Sequence, residues 1–249
     1  MSNKLTKLDL QDLAKLYPEK EDYKEVIKQI EAGYPIQYLN GFVEFYGYKI
    51  IVNNQVLIPR FETELLVEKT ISYANRYFKN PDILDIGTGS GCIPVALALE
   101  LAKTTGCKIT ALDVSRKALD VACQNFKNHQ LQINTEQLDI LNDQPKELYD
   151  VIISNPPYIA ASELVDLQTK YEPQNALYAG DEGLEFYHAI LSKRLLKENG
   201  LIALEIGATQ GKKVKEIAEK YYPKAQIEIQ QDYNNCDRFV FIFQNLNKK

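Results

Sequence analysis

The residues best suited to chemistry are Asn155, Pro156, Pro157 and Tyr158, which are consecutive. Two adjacent prolines fix φ and remove two N–H donors. The carbonyl of Pro156 is therefore held in place as an acceptor. Asn155 offers a second acceptor, its Oδ1, and Tyr158 supplies a flat face. Two acceptors beside an aromatic plane match a planar NH₂ group, either a carboxamide or an aromatic amine. The lone pair of such a nitrogen is delocalised, so it is a poor nucleophile. Hydrogen bonds to both its protons would orient it and offset the positive charge that develops as it attacks. Alignment with the electrophile would supply much of the rest. Neither a strong base nor a metal is needed. Asn-Pro alone would mean only a turn; the full tetrapeptide at a strand end is specific.

A second cluster lies upstream. Residues 82–86 form a short apolar run, followed by Gly87-Thr88-Gly89-Ser90-Gly91. Glycines at alternate positions let the chain turn sharply and let a ligand lie against the main chain. A tight strand-to-helix turn would explain this spacing when taken alone. Asp113, 22 residues beyond Gly91, closes the next apolar run. An acid there can accept hydrogen bonds from both ribose hydroxyls. The pattern points to a nucleotide cofactor, either a dinucleotide or S-adenosylmethionine. Cys92 stands where the dinucleotide fingerprint has glycine or alanine. Asp85 adds a carboxylate beside the loop that suits the ammonium of a methionine moiety and would repel a pyrophosphate. Asp139, after the third strand, could bond an adenine amino group or simply cap a turn. Asp85, Gly87, Thr88, Gly89, Ser90, Gly91, Asp113, Asp139, Ile140 and Asn155 are thus the candidate cofactor-binding set. Asn155, Pro156 and Tyr158 are the candidate catalytic residues, and with Pro157 they would bind the substrate.

These groups need a scaffold. Leucines 5, 8, 10, 13 and 16 share one helical face, ended by Pro18, and residues 23–30 predict a second helix ending near Gly33. Residues 42–52 read as a β-hairpin. From about residue 63 the pattern alternates. It predicts helices over 64–77, 93–102, 116–128 and 184–196, the third capped by Ser115 and the last closed by Gly200, and another helix before Tyr221. Strands are expected at 82–86, 108–112, 131–138, 151–154, 201–205, 227–229 and 239–243. Strands alternating with helices predict a mostly parallel sheet covered on both faces. The final two, with no helix between them, predict an antiparallel end. The organisation is a small helical part over 1–36, a β-hairpin linker over 37–60 and an α/β domain over 61–249.

Bulk properties bound the class. The 249 residues carry net charge −5, with 45% hydrophobic and 25% charged residues. This is an ordinary soluble composition, and it disfavours nucleic acid or an anionic membrane as a partner. The longest apolar run, residues 93–99, falls far short of the roughly 20 needed to cross a bilayer. No signal peptide is visible, so the default location is cytoplasmic. Four cysteines without a C-x-x-C pair and two histidines argue against a Cys/His zinc site. The cysteines are expected to be reduced and mostly buried. A monomer is the default.

With these residues assembled, the chain resembles the class I methyltransferases. More closely, it is similar to the protein-(glutamine-N5) methyltransferases that modify peptide chain release factors. The resemblance runs over residues 37–243. It is carried by Gln37-Tyr38-Leu39 with Gly41, Val56-Leu57-Ile58-Pro59-Arg60, Glu62-Thr63-Glu64, Asp85 to Gly91, Asp113 and Asn155 to Tyr158. Glu172-Pro173, Ala176-Leu177, Gly180-Asp181, Gly183-Leu184, Glu205-Ile206-Gly207, Gln210 and Asp237-Arg238 extend it. It implies a Rossmann-like seven-stranded domain with one antiparallel terminal strand. It also implies S-adenosylmethionine held by residues 87–91, Asp113 and Asn155. Residues 155–158 would hold the glutamine of a release factor Gly-Gly-Gln loop, whose amide nitrogen takes the methyl.

The chain departs from that family's usual pattern in three places. Phe61 stands where proline is usual, Ile140 where a tryptophan often stands, and the N-terminal part is short. Arg60 and Glu62 are expected to buttress a domain junction, Asp237 and Arg238 to be architectural, and the lysines at 212, 213 and 215 to face solvent. Tyr171, Tyr178 and Tyr187 are candidates for the substrate entrance or for ordinary packing. The same acceptor geometry suits the exocyclic amine of adenine in a flipped base, so an N(6)-adenine methyltransferase is the alternative. A binding module that has lost turnover is a third reading.

Overall fold

Two apolar layers on either side of one sheet position everything that follows. The computed structural model describes residues 20–246, with side chains from Glu25 onward. The helix expected over 5–16 lies outside the described residues. Helix α1 (Lys20–Glu31) buries Val26 and Ile30 against Ile36 and Leu39. A short helix α2 (Ile36–Asn40) leads into the hairpin of β1 (Phe42–Phe45) and β2 (Tyr48–Ile51). Phe45, Ile50 and Val52 point into the main core.

The α/β part then alternates as expected. It comprises α3 (Phe61–Tyr77), β3 (Asp82–Ile86), α4 (Cys92–Leu101), β4 (Lys108–Asp113), α5 (Arg116–Asn128), β5 (Asn134–Gln137) and β6 (Tyr149–Ser154). It continues with α6 (Glu185–Ser192), β7 (Leu196–Glu205), α7 (Gly211–Tyr221), β8 (Gln226–Gln231) and β9 (Asp237–Gln244). The sheet order is β5-β4-β3-β6-β7-β9-β8. Strands β3 to β7 pair in parallel, and β9 runs antiparallel to both its neighbours. This is the Rossmann-like seven-stranded sheet, with one antiparallel strand at its chain end, that the resemblance implies.

Side chains alternate across each strand. Ile83, Val151, Ile153, Leu201 and Ala203 face α3, α4 and α5 in one core. Leu84, Ile86, Ile152, Ile202 and Leu204 face α6 and α7 in the other. No helix among the described residues is long and apolar enough to cross a membrane.

Three expectations need correction. The helix expected over 184–196 stops at Ser192, and β7 already begins at Leu196. Arg194 turns the chain at φ 52°, and Lys197 anchors the new strand through Asp82 (2.6 Å) and Asp150 (2.9 Å). Gly200 therefore sits inside a strand instead of closing a helix. A Cβ there would come within 2.5 Å of Leu196 Cγ and 3.0 Å of the Asp150 carbonyl oxygen. The third strand is shorter than expected, spanning only Asn134–Gln137 at the sheet edge. The cysteines are all free, but only Cys92 is buried; Cys123 and Cys236 are exposed, on the outer face of α5 and in the β8–β9 turn.

Candidate active site

The sheet order reverses between β3 and β6, and open α/β sheets bind ligands at such a point, beyond the strand carboxyl ends. Ser154 Oγ donates to the Ile86 carbonyl across 2.6 Å and pins these two strand ends together. The glycine loop leaves β3 here. The N–H groups of Gly87 and Thr88 both donate to the Leu112 carbonyl, at 2.8 and 2.9 Å. Gly87 (φ 73°) and Gly89 (φ 54°) have no atom within 4 Å of where a Cβ would stand. Their open faces border a cavity of about 240 Å³.

That cavity gathers Gly87, Gly89, Asp113, Asp139, Ile140, Asn155, Pro156 and Pro157 of the expected set. Asp113 Oδ2 accepts from the Gly89 N–H (2.9 Å) and Oδ1 from the Ser115 N–H (2.8 Å), so the carboxylate is fixed at the rim. Burial raises its pKa against these main-chain bonds. Asp139 accepts from the Leu141 N–H (3.0 Å) and from Asn142 Nδ2 (2.7 Å). It caps its own turn while lining the cavity. Leu57, Leu112 and Phe186 supply apolar walls that were not anticipated.

Asp85, Thr88, Ser90 and Gly91 do not line this cavity. Thr88 and Ser90 are buried, and Gly91 is a packing position: a Cβ would lie 2.6 Å from the Phe126 ring. Asp85 lies fully buried behind the loop, and neither of its oxygens has a hydrogen-bond partner. Burial pushes its carboxyl up to about 7; the nearby Thr88 hydroxyl opposes the shift without reaching hydrogen-bond geometry, and Asp113 adds to it.

A second cavity, of about 220 Å³, adjoins the first at residues 155–157. Tyr158, Ile159, Arg60, Val165, Asp166 and Thr169 line it, and it shares Leu57, Asn155, Pro156, Pro157 and Ala176 with the first. Asn155 Nδ2 donates to Thr63 Oγ1 (3.0 Å), and Thr63 Oγ1 donates to Glu205 Oε2 (2.7 Å). With Nδ2 so used, Oδ1 is the atom left to accept. The Tyr158 carbonyl accepts from Gln210 Nε2 (2.9 Å), which also reaches the Gly183 carbonyl (3.1 Å). Burial raises the Tyr158 phenol to about 12, so it stays protonated.

Glu172 ties this wall to the chain before α3. Its Oε2 accepts from the Ile58 N–H (2.9 Å), and its Oε1 pairs with Arg60 (2.5 Å). The buttress at this junction is therefore Arg60–Glu172. Arg238 binds Asp232 (3.1 Å) and the Ile206 carbonyl (3.3 Å), and Asp237 packs over Gly211; both are architectural. Of the three tyrosines considered for the entrance, none lines either cavity. Tyr187 is fully buried and donates to the Glu205 carbonyl (3.0 Å), and Tyr171 stacks edge-on against Tyr34. Sequence reasoning gave no role to Thr63, Glu172, Glu205 or Gln210. Their only signal was that all four stand in the segments that carry the family resemblance.

A family model described as methyltransferase small domain matches residues 61–170. The release factor glutamine methyltransferase of Bacillus cereus is 34% identical over 232 residues, covering 90% of this chain and 81% of that protein. Its counterpart in Streptococcus pneumoniae is 39% identical over 229 residues, covering 90% and 80%. The one in Enterococcus faecalis is 39% identical over 231 residues, covering 89% and 80%. Among solved structures, a methyltransferase from Pyrococcus furiosus superposes with TM-score 0.59 at 18% identity, covering 91% of this chain and 98% of that one. At that identity the likeness speaks to the fold alone.

Proposed function

The chain belongs to the release factor glutamine methyltransferase family, and from that premise we propose that it transfers a methyl group from S-adenosylmethionine to the side-chain amide nitrogen of the glutamine in the Gly-Gly-Gln loop of a peptide chain release factor. The observation that carries this reading is the wall of Asn155, Pro156 and Pro157 shared by two cavities. A donor held in one cavity and an acceptor held in the other would meet at these shared residues.

The residues present fit the cofactor. Gly87 and Gly89 leave space that any Cβ would fill. Asp113 has lone pairs to spare for ribose hydroxyls. Ile140, Leu138 and Phe186 offer apolar surface to an adenine. Asp85 is an unpartnered buried carboxylate next to the loop, suited to a cationic group. When bound, S-adenosylmethionine supplies a methyl group activated by a sulfonium.

The chain's own residues do the rest. Asn155 Oδ1 and the Pro156 carbonyl accept the two N–H bonds of the substrate amide and fix its plane. Both oxygens gain interaction energy as the nitrogen becomes positive, so they favour the transition state over the ground state. The Tyr158 ring covers one face of the amide. A carbonyl oxygen is too weak a base to keep the surplus proton, which passes to water. Prolines 156 and 157 keep the wall rigid and free of competing donors.

The division into 1–36, 37–60 and 61–249 belongs to the same proposal. Val26 and Ile30 of α1 pack on Ile36 and Leu39 as a small core of their own, whereas Phe45 and Ile50 tie the hairpin to the main core. A partner from the translation machinery goes with a cytoplasmic location. The test is transfer of labelled methyl to purified release factor, with loss of the signal when the Gly-Gly-Gln glutamine is changed to alanine. Labelling that persists in the changed factor would exclude this acceptor.

A further inference from the structure

We infer that Thr63 and Glu205 are positioning residues for the transfer: together they hold the Asn155 amide in the one orientation that turns its carbonyl oxygen toward the acceptor cavity. The inference rests on the reading of that cavity as the glutamine pocket. An asparagine amide has nearly the same shape when flipped, but its two ends have opposite polarity. Flipped, it would present N–H to N–H, and the substrate amide would lose an acceptor.

The hydrogen-bond logic fixes the orientation. Thr63 Oγ1 lies 2.7 Å from Glu205 Oε2 and 3.0 Å from Asn155 Nδ2. A threonine hydroxyl carries one proton, and an ionised carboxylate only accepts. Thr63 must therefore donate to Glu205, which leaves only lone pairs facing Asn155. The amide end that meets Thr63 must be the NH₂. Protonating Glu205 removes the constraint: the acid can donate to Thr63, and the freed hydroxyl proton can turn to Asn155. Either amide orientation is then satisfied, and the productive one is no longer enforced.

The three residues come from α3, the end of β7 and the end of β6. Thr63 and Glu205 are buried. The charged and titratable groups around Glu205 are Glu62 and Arg60 at the start of α3, Arg238 on β9, Tyr158 after β6 and Tyr187 on α6. Burial raises the Glu205 carboxyl to about 7. The Thr63 bond and Arg238 hold it down, Glu62 raises it further, and Arg60 opposes. A carboxyl raised in this way is ionised above that pH and protonated below it. The enforced orientation, and turnover with it, should fall as the pH drops through about 7.

The experiment is steady-state methylation of release factor by the full chain between about pH 5.5 and 9, with S-adenosylmethionine affinity measured separately by calorimetry. The wild type should show an acid limb near pH 7. Thr63→Val, close in shape, should lower kcat on the order of 10- to 100-fold, leave cofactor affinity unchanged and lose the acid limb. Thr63→Ser should restore most of the turnover and the limb, and Glu205→Gln should flatten the profile. Wild-type kcat in Thr63→Val, an acid limb that survives in it, or an equal loss in Thr63→Ser would overturn the inference. A wild-type profile flat to the acid end would do the same. Absence of any transfer by the wild type to release factor would instead overturn the functional reading, and this inference with it.

Discussion

Replacing Asn155 by alanine removes one of the two acceptors offered to the substrate amide. The structure allows the consequence to be divided between binding and chemistry. Asn155 borders both cavities. Toward the cofactor it contributes at most one neutral hydrogen bond, worth about 0.5–1.5 kcal/mol, or roughly a tenfold loss of affinity at the upper end. Toward the acceptor it opposes a developing positive charge. Loss of one preorganised partner of a developing charge typically costs about 2.7–4 kcal/mol, or 10²- to 10³-fold in kcat. Losing the 3.0 Å bond from Nδ2 to Thr63 adds about 1 kcal/mol of lost stability, too little to unfold an ordinary domain. The assay pairs kcat with saturating cofactor and release factor against a calorimetric Kd for S-adenosylmethionine. Asn155→Ala should reduce kcat at least tenfold more than it weakens Kd. A variant whose Kd rises while kcat at saturation stays at the wild-type value would refute the acceptor role.

Gly183→Ala should disturb the same wall from behind. Its Cβ would come within 2.2 Å of the Tyr158 carbonyl oxygen, at a φ of 70°, so a loss of about 1–3 kcal/mol should appear as a lower Tm and reduced turnover; an unchanged Tm would contradict the close approach. Glu172→Gln should loosen the join between Arg60, the Ile58 N–H and the acceptor cavity, raising KM for release factor more than Kd for S-adenosylmethionine; the reverse order would place Glu172 on the cofactor side. Asp85→Asn should stabilise the cofactor-free protein at pH 8. The folded carboxyl is raised to about 7 from an ordinary 3.8, so this group destabilises the fold progressively as pH rises from about 4 to about 7, by on the order of 4 kcal/mol. Thermal denaturation of the variant across pH should show a shallower decline over that window, and an identical decline would remove Asp85 as its source.

What could be read from the sequence follows a physical divide. The glycine loop, Asp113 and residues 155–158 were legible because their chemistry is local. Each sits at the end of an apolar strand, and parallel strands bring their carboxyl ends together. Ser115 was legible as a cap for the same local reason; its side chain accepts from the Ala118 N–H at 3.2 Å. The helix end at Ser192 was not. Leu195 and Leu196 continue the apolar content, and it is tertiary pairing with β6, through the Tyr149 N–H to the Leu195 carbonyl and the Tyr149–Leu196 register, with Lys197 held by Asp82 and Asp150, that makes the stretch a strand. Gly200 looked like a helix stop because glycine also marks such ends; here it lets the Asp150 carbonyl approach. Thr63 and Glu205 are separated by 142 positions in the chain, and no spacing rule links residues so far apart. The family resemblance quoted both segments, but only the folded arrangement shows that one hydroxyl joins them to Asn155. Asp85 was expected at the cofactor from its place beside the loop; what the sequence did not show is that strand alternation turns its side chain inward with Ile83, buried, unpartnered and outside the cavity lining.

The central claim is that the wall at Asn155 presents a glutamine amide, and not an adenine amine, for methylation. One side-by-side assay tests it most directly. Labelled S-adenosylmethionine is offered with wild-type release factor, with a factor carrying Gln→Ala in its Gly-Gly-Gln loop, and with DNA and RNA. Label should enter the wild-type factor alone. Label in nucleic acid but not in protein, or equal label in both factors, would contradict the account.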